Sequence, residues 1–155
     1  MEKVFCVDID GVLADFNNEK NALNRFASEK GFFAKLKPIK NNIEIVRKLV
    51  KNNKVIILSV SPNEQATKDK INWIKKYLPE ISKDQIKILK TNQRKVDAIK
   101  DKQAILLDDY GKNVKDWLES GRIALKISSE HSNKLKSIYQ VSNIASAITR
   151  LKLFF

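Results

Sequence analysis

Val4-Phe5-Cys6-Val7-Asp8-Ile9-Asp10-Gly11-Val12 begins with four apolar, β-prone residues that stop dead at an acidic pair. In an extended strand, the i, i+2 spacing of the pair puts both carboxylates on one face. Gly11 follows at once, so the chain leaves the strand there and Asp10 can turn relative to Asp8. Open α/β sheets bind ligands outside the carboxyl ends of their strands, where the strand order reverses. Two acids at such an end can hold a hard cation on oxygen ligands and still keep a carboxylate for attack. Taken alone, the stretch reads equally well as an Asp-Gly turn closing an ordinary strand.

A second acidic pair tips the balance. Ala104-Ile105-Leu106-Leu107 is another short apolar run, and it ends at Asp108-Asp109-Tyr110-Gly111. Parallel strands of a doubly wound sheet end on one edge, so two pairs distant in sequence can converge there. Four like charges together repel unless a divalent cation sits among them. That convergence argues for a Mg²⁺ site. Between the pairs, Val55-Ile56-Ile57-Leu58 runs into Ser59-Val60-Ser61-Pro62. A hydroxyl and backbone N–H groups at a strand-to-helix turn make a phosphate seat, although a plain serine cap on the helix after Asn63 explains the same residues. Lys95 opens a helical stretch just ahead of the strand that ends at Asp108.

Apolar runs at residues 4–7, 55–58, 86–89, 104–107 and 123–127 read as strands. Helices fit residues 17–30, 42–52, 63–77, 112–120 and 143–152. The alternation predicts a single α/β domain over residues 1–155, a doubly wound, Rossmann-like parallel sheet with helices on both faces. Residues 4–7 are expected at its centre, flanked by the strands at 55 and 104.

In this order, Asp-x-Asp-Gly-Val, a strand-terminal Ser, a Lys and an Asp-Asp pair resemble the four motifs of the haloacid dehalogenase-like (HAD) phosphohydrolases over residues 3–127. A closer resemblance lies inside it. The segment from Asp8 through Leu13, Ala14, Asp15 and Phe16, and later Gly31-Phe32-Phe33-Ala34-Lys35-Leu36-Lys37-Pro38-Ile39, are similar to segments of the 5'(3')-deoxyribonucleotidases. In that family the chain between the two segments forms a helical cap over the substrate. Here residues 17–30 allow about four helical turns at 3.6 residues each, so the cap implied for residues 17–37 is small.

The resemblance implies a phosphomonoester hydrolase. Asp8 would attack phosphorus to give an aspartyl-phosphate, and Asp10 would serve as general acid and then general base. Mg²⁺ would be held by Asp8, the backbone carbonyl of Asp10 and the Asp108-Asp109 pair, with Asp109 as the direct carboxylate ligand. Ser59, with Ser61 as a stand-in, and Lys95 would hold the phosphoryl oxygens. Phe16, Phe32 and Phe33 would wall the site and could stack on a base. The implied partner is a small phosphorylated molecule, a (deoxy)ribonucleoside monophosphate first of all. Two other readings stand beside it: a phosphatase for 3' or 5' phosphate ends of nucleic acid, and a HAD-like protein that binds nucleic acid without turnover.

Composition agrees with a compact enzyme. The chain has 155 residues, 43% hydrophobic, and only four Gly and three Pro, which suits one core and no linker. Its net charge is +12, and 25 of its 30 basic residues are Lys. Lys without Arg clusters reads as solvated helix faces, though diffuse positive charge still speeds encounter with phosphorylated molecules. No run is long and apolar enough for a membrane span, no leader is visible before residue 4, and a cytoplasmic location is the expectation. The single Cys6 sits mid-strand, which suits a buried thiol. His131 reads as a loop residue. The apolar ending of the chain reads as a docked terminus or a self-association patch.

Overall fold

The computed structural model describes residues 2–127, 140–141 and 144–152. His131 and the last three residues, on which two of the expectations above fall, lie outside them.

The chain runs β1 (Val4–Val7), α1 (Ala22–Arg25), α2 (Lys40–Val50), β2 (Lys54–Ser61), α3 (Glu64–Tyr77), β3 (Ile86–Lys90), α4 (Lys95–Ala98), β4 (Ile105–Asp108), α5 (Gly111–Glu119), β5 (Ala124–Ile127), β6 (Gln140–Val141) and α6 (Ile144–Lys152). All strand pairs are parallel, in the order β3-β2-β1-β4-β5-β6. β1 is central, with Cys6 opposite Ile56 on one side and Leu106 on the other. The order reverses between β1 and β4, and the carboxyl ends of β1, β2 and β4 come together there. Two-residue β6 adds one edge strand to the five expected.

Strand alternation divides the core in two. Phe5, Val7, Val55, Ile57, Ile105 and Leu107 point to the face covered by α2, α3 and α6. Cys6, Leu58, Leu106 and Ala124 point to the opposite face, under Val114 and Trp117 of α5. Burial on both faces is why these strands read as continuous apolar runs. Burial also pushes the Cys6 thiol up to about 12, which keeps it protonated and inert.

The main departure from expectation is in residues 17–30. One helical turn, α1, replaces the long helix. Asn17, Asn18, Asn21 and Asn24 offer side-chain alternatives to helical hydrogen bonding, and Asn21 sits in the left-handed region at φ 55°. The segment leaves and rejoins the sheet at one place. Asp15 N–H donates to the Lys37 carbonyl at 2.8 Å, and Ile39 N–H to the Leu13 carbonyl at 2.7 Å. Its interior is tied by Arg25, which donates to Glu29 (2.5 Å), Glu19 (2.9 Å) and the Lys20 carbonyl (2.7 Å). Phe16, Phe26, Phe32 and Phe33 pack against one another beneath it.

Asn42 of α2 joins the turn after β1 to the last helix. Its buried amide donates to the Val12 carbonyl at 2.7 Å, and its side-chain oxygen accepts from Ile144 N–H at 3.2 Å. Asn42→Leu strands a buried acceptor and a buried donor. It is expected to cost about 2–4 kcal/mol, seen as a lower urea midpoint at an unchanged slope.

Candidate active site

Asp8, Asp10, Phe16, Ser59, Lys95 and Asp109 line one cavity of about 280 Å³ at the reversal point, together with Asn17, Val60, Tyr110 and Asn113. Each arrives by a simple rule. Asp8 continues β1 by one residue and Asp108 is the last residue of β4, so both side chains fall on the α4–α5 side of the sheet. Ser59 has the parity of Ile57 and falls on the α3 side.

On the first side, Lys95 bridges the two strand ends. Its ammonium lies 2.9 Å from Asp8 Oδ1 and 2.6 Å from Asp108 Oδ2, and all three residues are buried. Burial works against its charge, but the carboxylates of Asp8 and Asp108 outweigh it and raise its pKa above the ordinary lysine value. Both oxygens of Asp108 are engaged. The carboxylate accepts from Lys95, from Tyr110 N–H at 2.9 Å and from Asn113 Nδ2 at 3.2 Å. Asp109 reaches the cavity, where Asn17 Nδ2 donates to its Oδ2 at 3.3 Å. Gly11 is at φ 78°, and a Cβ there would collide with the Asp109 carboxylate. Only glycine meets both demands.

On the α3 side stands a second buried ammonium. Lys70 Nζ donates to Asp10 Oδ2 at 2.5 Å, to the Val60 carbonyl at 2.6 Å and to Ser59 Oγ at 3.1 Å. Asp10 Oδ1 is buried and has no hydrogen-bond partner among the described residues. The Asp10 pKa is raised, chiefly by burial and further by Asp8, against the pull of Lys70.

Sequence reasoning missed Lys70, and its signal was present. Ala66, Lys70, Trp73, Ile74 and Tyr77 fall on one helical stripe, and a lone lysine in such a stripe is buried for a reason. Three expected site residues lie elsewhere. Ser61 is engaged with Thr67 and the Asn63 carbonyl at the start of α3, so its hydroxyl serves the helix start and not the cavity. Phe32 and Phe33 are buried, at 2% and 3% exposure. Their faces are spent on Phe16, on each other and on cations: Arg25 over Phe32 and Lys70 over Phe33. Neither ring is open to a base. Of the three phenylalanines, Phe16 alone lines the cavity.

The acidic cluster fits a hard divalent cation. Asp8, Asp108 and Asp109 each present an oxygen within 4.8 Å of the others, an all-oxygen donor set of the kind Mg²⁺ takes. Their crowding shows in proton affinity. The Asp109 carboxyl is pushed up to about 8 by burial first, then by the charges of Asp8 and Asp108. Burial, then Asp8, pushes Asp108 up to about 6 against the pull of Lys95.

Comparison with known proteins agrees with this picture. The family model described as 5' nucleotidase, deoxy (pyrimidine), cytosolic type C protein matches residues 17–153. That stretch begins after Asp10, so the first acidic pair enters through the structure. A haloacid dehalogenase-like hydrolase from Burkholderia xenovorans LB400 superposes with a TM-score of 0.62 at 13% identity, over 96% of this chain and 95% of that one. A haloacid dehalogenase-like family hydrolase from Xanthomonas campestris gives 0.54 at 9% identity, over 98% and 91%. A chain of the Pnkp1/Rnl/Hen1 complex gives 0.55 at 22% identity, over 81% of this chain and 45% of that one. At these identities the likeness is one of fold. No curated protein matches the chain in sequence. Among the described residues, no helix is long and apolar enough to cross a membrane.

The raised carboxyls give a pH signature. Asp108 and Asp109 bind protons more tightly in the folded chain than at the ordinary value of 3.8. The folded state therefore carries extra protons between about pH 4 and pH 8, and stability falls as pH rises through that window. Chelator-treated protein is expected to melt several degrees lower at pH 8 than at pH 5. Added Mg²⁺ should raise the melting temperature more at pH 8, because the cation needs ionised ligands. Thermal melts across this range, with and without Mg²⁺, check both statements.

Proposed function

The chain belongs to the 5' nucleotidase, deoxy (pyrimidine), cytosolic type C protein family, and from that premise we propose a Mg²⁺-dependent phosphomonoester hydrolase that works through an aspartyl-phosphate. Its favoured substrate is a ribo- or deoxyribonucleoside monophosphate, and its location the cytoplasm. One observation carries the reading. Lys95 fixes Oδ1 of Asp8 at the cavity floor, which leaves the other Asp8 oxygen for the phosphorus.

The steps follow from the residues. Asp8 attacks phosphorus in line while the bond to the leaving oxygen breaks, and Asp10 gives that oxygen a proton. Water then attacks the same phosphorus, Asp10 takes its proton, and orthophosphate leaves with Asp8 restored. An ammonium has three N–H bonds. Lys95 spends two, on Asp8 and Asp108, and keeps one for a phosphoryl oxygen. Ser59 offers a second contact on the α3 side. Asp8, Asp109 and the Asp10 backbone carbonyl would hold the cation, with Asp108 behind them steering Lys95. Bound Mg²⁺ supplies charge neutralisation at the phosphoryl oxygens.

Residues 17–37 act as a minimal cap that closes one side of the cavity through Asn17, next to Phe16. Its small size and the exposed Tyr110, at 60%, leave room for a larger substrate. With the net charge of +12, this openness supports a second reading, hydrolysis of phosphate at a nucleic-acid end.

Asp8→Asn is expected to abolish turnover of nucleoside monophosphates and of p-nitrophenyl phosphate, with a melting temperature near that of the wild type. Chelation of Mg²⁺ should silence the wild type, and kcat and KM measured on both substrates test the pair of claims. Asp10→Asn is expected to keep the first half-reaction with p-nitrophenyl phosphate, whose leaving group needs no proton. It should lose about 10²–10⁴-fold with nucleotides, a contrast that rapid-quench kinetics would resolve. A phosphorylated oligonucleotide in the same assay separates the two substrate readings by kcat/KM.

A further inference from the structure

We propose that Lys70 is a positioning residue of this reaction, and that the turn at residues 31–33 is the seal that keeps it in place. The inference rests on the phosphatase reading above and adds a residue to it. Lys70 is 1% exposed, and its ammonium has three N–H bonds for three acceptors: Asp10 Oδ2, the Val60 carbonyl and Ser59 Oγ. No N–H remains for a phosphoryl oxygen. That separates Lys70 from Lys95, which has one to spare. Lys70 instead holds Asp10 by one oxygen, so the carboxyl keeps one orientation through both proton transfers. The same ammonium orients the Ser59 hydroxyl, which locks two site groups to one buried charge.

Such a charge needs more than its partners, because burying an ion costs several kcal/mol unless it is fully compensated. The turn at residues 31–33 supplies the rest. Phe33 lays its ring 4.3 Å from the ammonium, a cation–π contact that also excludes water. Gly31, at φ 78°, donates its N–H to Asp69 Oδ2 at 3.0 Å, which pins the turn to the residue preceding Lys70. A second tie runs from Asn63 Nδ2 to the Ala27 carbonyl at 2.9 Å. The segment thus grips α3 at the turn that carries Lys70. The Gly-Phe-Phe run has its place in the site through this contact and not by touching a base.

The test uses the full-length protein carrying Lys70→Met, with thymidine 5'-monophosphate and p-nitrophenyl phosphate as probes. A positioning role predicts that kcat on the nucleotide falls about 10²-fold, the size of a small misplacement, while KM stays within about twofold. On p-nitrophenyl phosphate the variant should release one equivalent of nitrophenolate in a burst and then turn over slowly, since water attack still needs a placed base. Lys70→Gln, which keeps donors without the charge, should recover part of kcat. Should Lys70→Met not fold, Phe33→Leu opens the seal and should give the same kcat loss at unchanged KM. An active wild type whose folded Lys70→Met variant keeps kcat would overturn this inference alone. A KM raised tenfold at constant kcat would overturn it in favour of phosphate binding. A wild type with neither burst nor turnover would overturn the phosphatase reading and this inference with it.

Discussion

Four aspartates meet at one edge of the sheet, and everything near them is arranged around that charge. Asp8 and Asp108 face the α4–α5 side and share Lys95, while Asp10 meets Lys70 from the α3 side. The two lysines approach from opposite layers because β1 ends at Val7 and the chain turns after Asp8, which releases Asp10 from the face it would share with Asp8 in an extended strand. Lys95 holds one oxygen of Asp8 and Lys70 one oxygen of Asp10, whose other oxygen has no hydrogen-bond partner among the described residues. Burial first, and then the charge of four carboxyls set against two ammonium groups, raises the proton affinity of Asp108 and Asp109. A site in this condition takes up protons or a divalent cation.

The 17–37 segment is better understood through that balance than as a lid. Its asparagines keep it from becoming a long helix, so it has little length with which to cover a substrate. What it does have is apolar mass. Its three phenylalanines pack against one another and against Phe16, and Phe33 closes over Lys70. Rings spent on covering a buried cation cannot also stack on a ligand. Val60, Tyr110 and Asn113 complete the lining of the cavity.

Much of this was legible in one dimension. Apolar runs ending in Asp-x-Asp, in Ser and in Asp-Asp predict strands that finish on one edge, and the parallel order with β1 in the centre agrees. Lys95 could be picked out through its place in the motif order. Which serine faces the cavity could not, because Ser59 and Ser61 have the same parity and β2 runs on through both. The local helix start captures Ser61 and leaves Ser59 to the site. The helix expected over residues 17–30 failed for a local reason, the asparagine content, that a count of residues per turn ignores.

The sequence by itself determined the strands, their direction and the edge on which the acids collect, because hydrophobic period and strand-end chemistry are local properties. Only the tertiary structure decided which side chains share a charge. The Asp10–Lys70 pair spans 60 residues and the Asn17–Asp109 contact spans 92. Lys70 is one of 25 lysines, and burial sets it apart from those that solvent surrounds. That burial depends on α3 packing on the sheet and on Phe33 arriving from another segment, a condition that only the folded chain meets.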